Sequence, residues 1–145
     1  MSLTEDFLTP EEEKAIVHAI HIAEQNTSGE IRVHIEAHAE KPPLERAKEV
    51  FHALGMDNTE ARNGVLFYVG VQDHTFAIIG DQGIDKVVED DFWDCTKDIV
   101  IGHFKNKEFK DGLVNGILRA GERLKKHFPF HSEDTNELSN EISKG

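Results

Sequence analysis

Residues 30–39 read EIRVHIEAHA, and this alternation decides the fold class. Ile31, Val33, Ile35, Ala37 and Ala39 face one way, and Glu30, Arg32, His34, Glu36 and His38 the other. That is the period of a half-buried strand with one apolar and one polar face. On its N-terminal side, Asn26-Thr27-Ser28-Gly29 makes a turn, and before that lies a helix from Thr9 to about Gln25. Thr9 is its N-cap, Pro10 its first residue and Glu12 the partner in a capping box, with Ile16, Ala19, Ile20 and Ala23 as the apolar stripe. On its C-terminal side, Pro42-Pro43 opens a second helix, with Leu44, Ala47, Phe51 and Leu54 on one side and Gly55 as the stop. Val65 to Val71 is almost continuously apolar, as in a central strand covered on both faces. A turn at Gln72-Asp73-His74 leads into Thr75–Gly80, an antiparallel hairpin partner. The two earlier runs and the helix between them form a βαβ unit, expected to be parallel and right-handed. Two further helices are expected, Asp90–Phe104 burying Phe92, Trp93, Cys95 and Ile99, and Phe109–Phe128 burying Leu113, Ile117, Ala120 and Leu124. Gly112 and Gly116, one turn apart in the latter, permit close packing. The reading is therefore an α/β fold, a small mixed sheet with helices on its faces. Residues 1–8 form an arm, 9–130 a single domain and 131–145 a disordered acidic tail.

The 145 residues carry 28 acids against 16 bases, a formal charge of −12. Such a chain repels phosphate, which disfavours nucleic acid and anionic lipid as partners. The charge is uneven: residues 81–98 are net −5, residues 131–145 net −3 and residues 99–130 net +4. A single cysteine makes no intramolecular disulfide and no Cys-based zinc site. No apolar run is long enough to span a membrane, and residues 1–10 have no basic or apolar leader pattern, so the expected compartment is the cytoplasm.

The hairpin geometry carries the functional reading. The end of the Thr75 strand, Gly80-Asp81, returns to the start of the Val65 strand at Arg62-Asn63-Gly64. The parallel first strand begins at the same edge, with Glu30. The loop Gly80-Asp81-Gln82-Gly83 then leads to a helix on which Asp90 and Asp94 share a face. Glu30, Asp81, Asp90, Asp91 and Asp94 are thus expected to converge around one end of the sheet. Clustered carboxylates raise one another's pKa unless a cation lies between them, and hard divalent cations take oxygen ligands. The spacing is not that of an EF-hand, and the competing reading is a solvated helix face with acids at its positive end. His34, Glu36 and His38 share a strand face and raise the question of zinc, but side chains along one strand splay apart; a polar face or a helix contact is the better reading. Cys95 falls on the apolar side of its helix and reads as an inert core thiol. No nucleophile elbow and no phosphate loop is present. Lys105, Lys107 and Lys110, with Arg119, Arg123 and Lys126, form a basic strip, read as solvated surface.

The strings Thr27-Ser28-Gly29-Glu30-Ile31-Arg32-Val33, Arg62-Asn63-Gly64-Val65-Leu66 and Ile78-Ile79-Gly80-Asp81-Gln82-Gly83-Ile84, in that order, resemble the three strands of TPM domains. Phe92-Trp93 and Gly112-Leu113 with Gly116-Ile117 fit the same pattern, so the resemblance covers about residues 10–128. It implies a three-layer α/β/α sandwich around a small mixed β-sheet. It also implies a divalent-cation site, Ca²⁺ or Mg²⁺, in an acidic pocket at the sheet's edge. By this resemblance the metal set is Asp81, Asp90, Asp91, Asp94 and Glu30, and Arg62, Asn63, Gly80, Gly83 and Trp93 line the pocket. Some members of the family have been credited with weak acid-phosphatase activity. The function expected is a soluble, stand-alone bacterial domain binding a divalent cation as an interaction or regulatory module. The alternative is a weak metal-dependent phosphatase acting on phosphomonoesters. A monomer is expected, with an unidentified protein as possible partner.

Overall fold

A computed structural model describes residues 7–59, 61–89, 91–129 and 140–144. In chain order the elements are α1 (Pro10–Glu24), β1 (Glu30–Glu36), α2 (Pro43–Ala53), a 3₁₀ turn (Met56–Asn58), β2 (Gly64–Gly70), β3 (Thr75–Gly80), a short α3 (Gln82–Asp85), α4 (Asp94–Lys105), α5 (Phe109–Lys125) and β4 (Ser143–Lys144). The sheet order is β3-β2-β1-β4. β1 is parallel to β2 in the register Glu30 with Gly64, and β2 is antiparallel to β3 in the register Val65 with Gly80.

The capping box forms as its residues dictate: Glu12 N donates to Thr9 Oγ1 (3.1 Å), and Thr9 N donates to Glu12 Oε1 (2.9 Å). α1 then buries the expected Ile16, Ala19, Ile20 and Ala23. These join Ile31, Val33 and Ile35 of β1 and Leu113, Ile117, Ala120 and Leu124 of α5 in the main core, on one face of the sheet. α5 approaches its neighbours closely because glycines line the contact. A Cβ at Gly116 would lie 2.5 Å from Val100 Cγ2, and one at Gly121 would lie 2.7 Å from Ala23 Cβ. On the other face, Ala47, Val50 and Phe51 of α2 pack on Leu66, Tyr68 and Ala77. The two cores make the three-layer α/β/α arrangement, with the β2 side chains all buried as expected of a central strand.

Five expectations are corrected. β1 is not half-exposed: Glu30, His34 and Glu36 on its polar face are buried, Glu36 paired with Arg46 of α2 and Tyr68 of β2, and His34 against Ser143 of β4. The helix expected from Asp90 begins at Asp94, because Asp81 caps a separate turn at Gln82–Asp85 and the chain turns again before Phe92. Its buried face accordingly carries Thr96 and Val100, Ile99 is only half-buried, and Cys95 is exposed rather than a core thiol. Leu44 is 51% exposed, outside the stripe assigned to it. Finally, the tail is not wholly irregular. Ser143 and Lys144 pair with His34 and Ile35 as a short parallel edge strand, whereas residues 130–139 lie outside those described. Among the described residues no helix is long and apolar enough to cross a membrane.

Candidate functional site

The end of the sheet picked out by the hairpin is closed by a dense set of hydrogen bonds. Asp81 N donates to Gly64 O (2.9 Å), joining the exit of β3 to the entry of β2. Glu30 N donates to Asn63 O (3.3 Å), bringing the start of β1 to the same place. Asn63 is buried, and its Nδ2 reaches Ser28 Oγ at 3.3 Å. Asp81 lies at the centre, 6% exposed. Its Oδ1 accepts from Gln82 N at 2.7 Å as the cap of α3. Arg62 grips the same carboxylate, Nε to Oδ2 at 3.1 Å and Nη2 to Oδ1 at 3.5 Å.

Arg62 sits in the left-handed region, φ 53°. That conformation is unusual for a residue with a side chain, and it directs the Arg62 carbonyl at Gly83 N (2.8 Å). A Cβ on Gly83 would lie 2.3 Å from Ala61 O and 2.5 Å from Arg62 O, so only glycine fits. One turn along, partial desolvation and the Asp81 charge raise the carboxyl of the otherwise exposed Asp85 above its ordinary range, and Lys48 offsets this in part. Asp85 and Lys48 were not among the expected site residues. The signal for Asp85 was its place four residues after Asp81, one turn along α3.

The expected five acids are distributed as follows. Asp81 and Glu30 are buried at this edge. Asp91 and Asp94 are exposed, Asp94 as the first residue of α4. Asp90 lies outside the described residues. Among the described residues no group of three or more His, Cys, Asp or Glu side chains is close enough to hold a metal ion. Of the pocket residues, Arg62, Asn63, Gly80 and Gly83 build the edge. Trp93 is half-buried against the main core, edge-to-face on Phe92 at 4.6 Å. Near the start of β1, burial pushes the Glu24 carboxyl up to about 7, Glu30 adding to the rise, while Glu24 Oε2 accepts from Ile31 N (3.0 Å).

The polar face of β1 builds a second, unexpected centre. Glu36 accepts from Arg46 Nε (2.8 Å) and Nη2 (2.9 Å) and from the Tyr68 hydroxyl, and lies 3.0 Å from His34 Nε2. Burial pushes its carboxyl up, but the hydrogen bonds from Arg46, Tyr68 and His34 outweigh that and hold it at about 2. Burial lowers the His34 imidazole, whose Nδ1 is 2.9 Å from Ser143 Oγ. This is the helix contact favoured over zinc for these residues: the network pins α2 and β4 to β1. His38 lies beyond the strand, exposed and 2.7 Å from Asp73 Oδ1. The sequence signal was Tyr68, the chain's one tyrosine, in an otherwise apolar strand where its hydroxyl needs a partner.

Comparison with known proteins agrees with this architecture. A family model for the TPM domain matches residues 2–123. The structure of the BA42 protein from the psychrophilic bacterium Bizionia argentinensis is similar at 58% identity, covering 97% of each chain with a TM-score of 0.92. The N-terminal domain of a protein from P. gingivalis shares the fold at 17% identity, TM-score 0.69, covering 88% of this chain and 83% of that one. The N-terminal domain of the cg2496 protein from Corynebacterium glutamicum does so at 11% identity, TM-score 0.62, covering 95% and 80%. No curated protein matches the chain.

Proposed function

As the chain belongs to the TPM domain family, we propose that it is a divalent-cation-binding module, taking Ca²⁺ or Mg²⁺ at the Asp81 edge and serving interaction or regulation. The observation that carries this reading is the Asp81 carboxylate, buried beside Asp85 and neutralised among the described residues by Arg62, whose side chain is 45% exposed. Two neighbouring carboxylates, with loop carbonyls around them, form an all-oxygen donor set suited to a hard cation. They fall short of a closed cage, which fits an exchangeable ion completed by water. Asp81 and Asp85 would hold the ion. Asp91 and Asp94, exposed where the chain enters α4, lend negative potential. When bound, the ion supplies the positive charge that Arg62 now provides.

Ligand binding to the folded state alone stabilises it by about 2.7 kcal/mol at a hundredfold excess over Kd. Thermal unfolding with saturating Ca²⁺ against EDTA should therefore raise Tm by several degrees in the wild type and little in Asp81→Asn, which retains a good capping residue. No rise, or an equal rise in the variant, overturns the site. The phosphomonoesterase alternative is carried less far, since the guanidinium at this edge is engaged by Asp81 rather than presented to a phosphate. Hydrolysis of an aryl phosphate that is lost with Asp81→Asn would reinstate it.

A further inference from the structure

The opposite end of the β2–β3 hairpin holds a cavity of about 540 Å³ with predominantly apolar walls. That volume lies within the range of small-molecule sites. Phe76, Phe104 and Phe109 wall it with Ile101 and Val69. The rings meet edge-to-face, Phe76 to Phe104 at 5.6 Å and Phe104 to Phe109 at 5.3 Å, and each remains only half-buried. Apart from the neutral Thr75, the polar side chains lining this cavity are basic. Lys105, Lys107 and His74 are exposed lining residues, and neither lysine is ion-paired among the described residues.

Two of these groups sit at a conformational cost. His74 has φ 54° and Lys107 φ 61°, left-handed positions that glycine fills more cheaply than a residue with a side chain. Each puts a side chain that is cationic, or becomes so on protonation, at the cavity in a chain whose net charge is −12. Apolar walls with a cationic mouth match one class of ligand: an acid with an apolar body.

We propose that this cavity binds an apolar monocarboxylate, its alkyl body among Phe76, Ile101, Phe104 and Phe109 and its carboxylate at Lys105 and Lys107. Burial of the body supplies affinity, and the two ammonium groups set orientation and select the charge sign. The site is at the far end of the hairpin from Asp81 and does not depend on the cation reading.

The test is titration of the ¹⁵N-labelled full chain with octanoate, decanoate, octanol and octylammonium, all below micellar concentrations. Decanoate should give saturable shifts confined to residues 69–76 and 101–109. Each methylene added between octanoate and decanoate should tighten binding by about fourfold, the equivalent of ~0.8 kcal/mol. Octanol and octylammonium should bind at least about tenfold more weakly at low salt, as loss of a charge pair implies. The double variant Lys105→Glu/Lys107→Glu, altered only at exposed positions, should invert the preference towards octylammonium. Ile101→Trp should weaken every probe by filling the cavity, its fold checked by the rest of the spectrum. Shifts scattered over the surface, no saturation, or equal binding of octanoate and octylammonium would overturn the proposal.

Discussion

The two ends of one hairpin are built on opposite principles. At the Asp81 end, backbone and side-chain groups are paired at close range, and Gly83 leaves no room for a methyl group. At the His74 end, aromatic rings meet at their edges and leave a cavity between them. One end is acidic and over-determined, the other basic and loosely filled. A polar site must be geometrically exact because an unpaired buried group costs its full desolvation. An apolar site tolerates free volume at a smaller cost per group.

The sharpest way to break that contrast is to substitute both ends. Gly83→Ala drives a Cβ into two carbonyl oxygens and should cost about 3 kcal/mol, the upper end of the range for forced backbone shifts. Ile101→Ala at the open end should cost no more than about 1 kcal/mol, since the side chain is only half-buried and water already reaches it. Urea unfolding of the two variants measures both, and equal losses would erase the distinction.

Glu36 tests whether the tight-end principle extends to the buried network. Its folded pKa of about 2 lies below the ordinary carboxylate value. The stabilisation is therefore complete above that ordinary value and disappears as pH falls through 2. Glu36→Gln should be less stable than the wild type by on the order of 1–3 kcal/mol at pH 7. The gap should narrow steadily between pH 4.5 and pH 2 in unfolding curves. A gap independent of pH would mean the charge is not what pins α2 to β1.

A smaller effect is expected at Arg62. If its guanidinium holds the place of a cation, Arg62→Gln should tighten Ca²⁺ binding by about threefold to tenfold, the usual scale for one removed like charge. Calorimetric titration would show it, and weakened binding would make Arg62 part of the cation site instead. The smallest effects belong to exposed groups. Lys105→Glu/Lys107→Glu should change stability by no more than about 0.5 kcal/mol. Cys95 should react completely with an aromatic disulfide reagent in the folded state, leaving the circular dichroism unchanged. Protection until unfolding would place it back in the core.

Much of this was legible from short-range signals. The Thr9 capping box, the stripes of α1 and α5 and the extent of β3 follow from periodicity and caps within a few residues of each other. The convergence of Arg62, Asn63, Gly64, Glu30 and Asp81 followed from strand direction alone. The α4 boundary did not, because Asp81 caps a turn of its own and displaces the helix start to Asp94. That shift turns Cys95 outward and Thr96 inward, about 100° apart on a helix. The partner of each acid was equally illegible. Glu36 and Asp81 are both acids on or beside strands in sequence, yet one meets Arg46 and Tyr68 and the other Arg62.

The sequence by itself determined the α/β class, the direction of the three long strands, the faces of α1 and α5, and the edge where Glu30, Arg62, Asn63 and Asp81 meet. These rest on hydrophobic period and backbone stereochemistry, which act over a few residues. Only the tertiary structure decided that Arg46 of α2 and Tyr68 of β2 meet Glu36 on the polar face of β1 and that Ser143–Lys144 returns to pair with that strand. It also decided that Asp81 is matched by Arg62 and that a basic-lined apolar cavity opens beside His74. Those outcomes depend on which groups, far apart in the chain, find each other when water is excluded, and no local pattern carries that information.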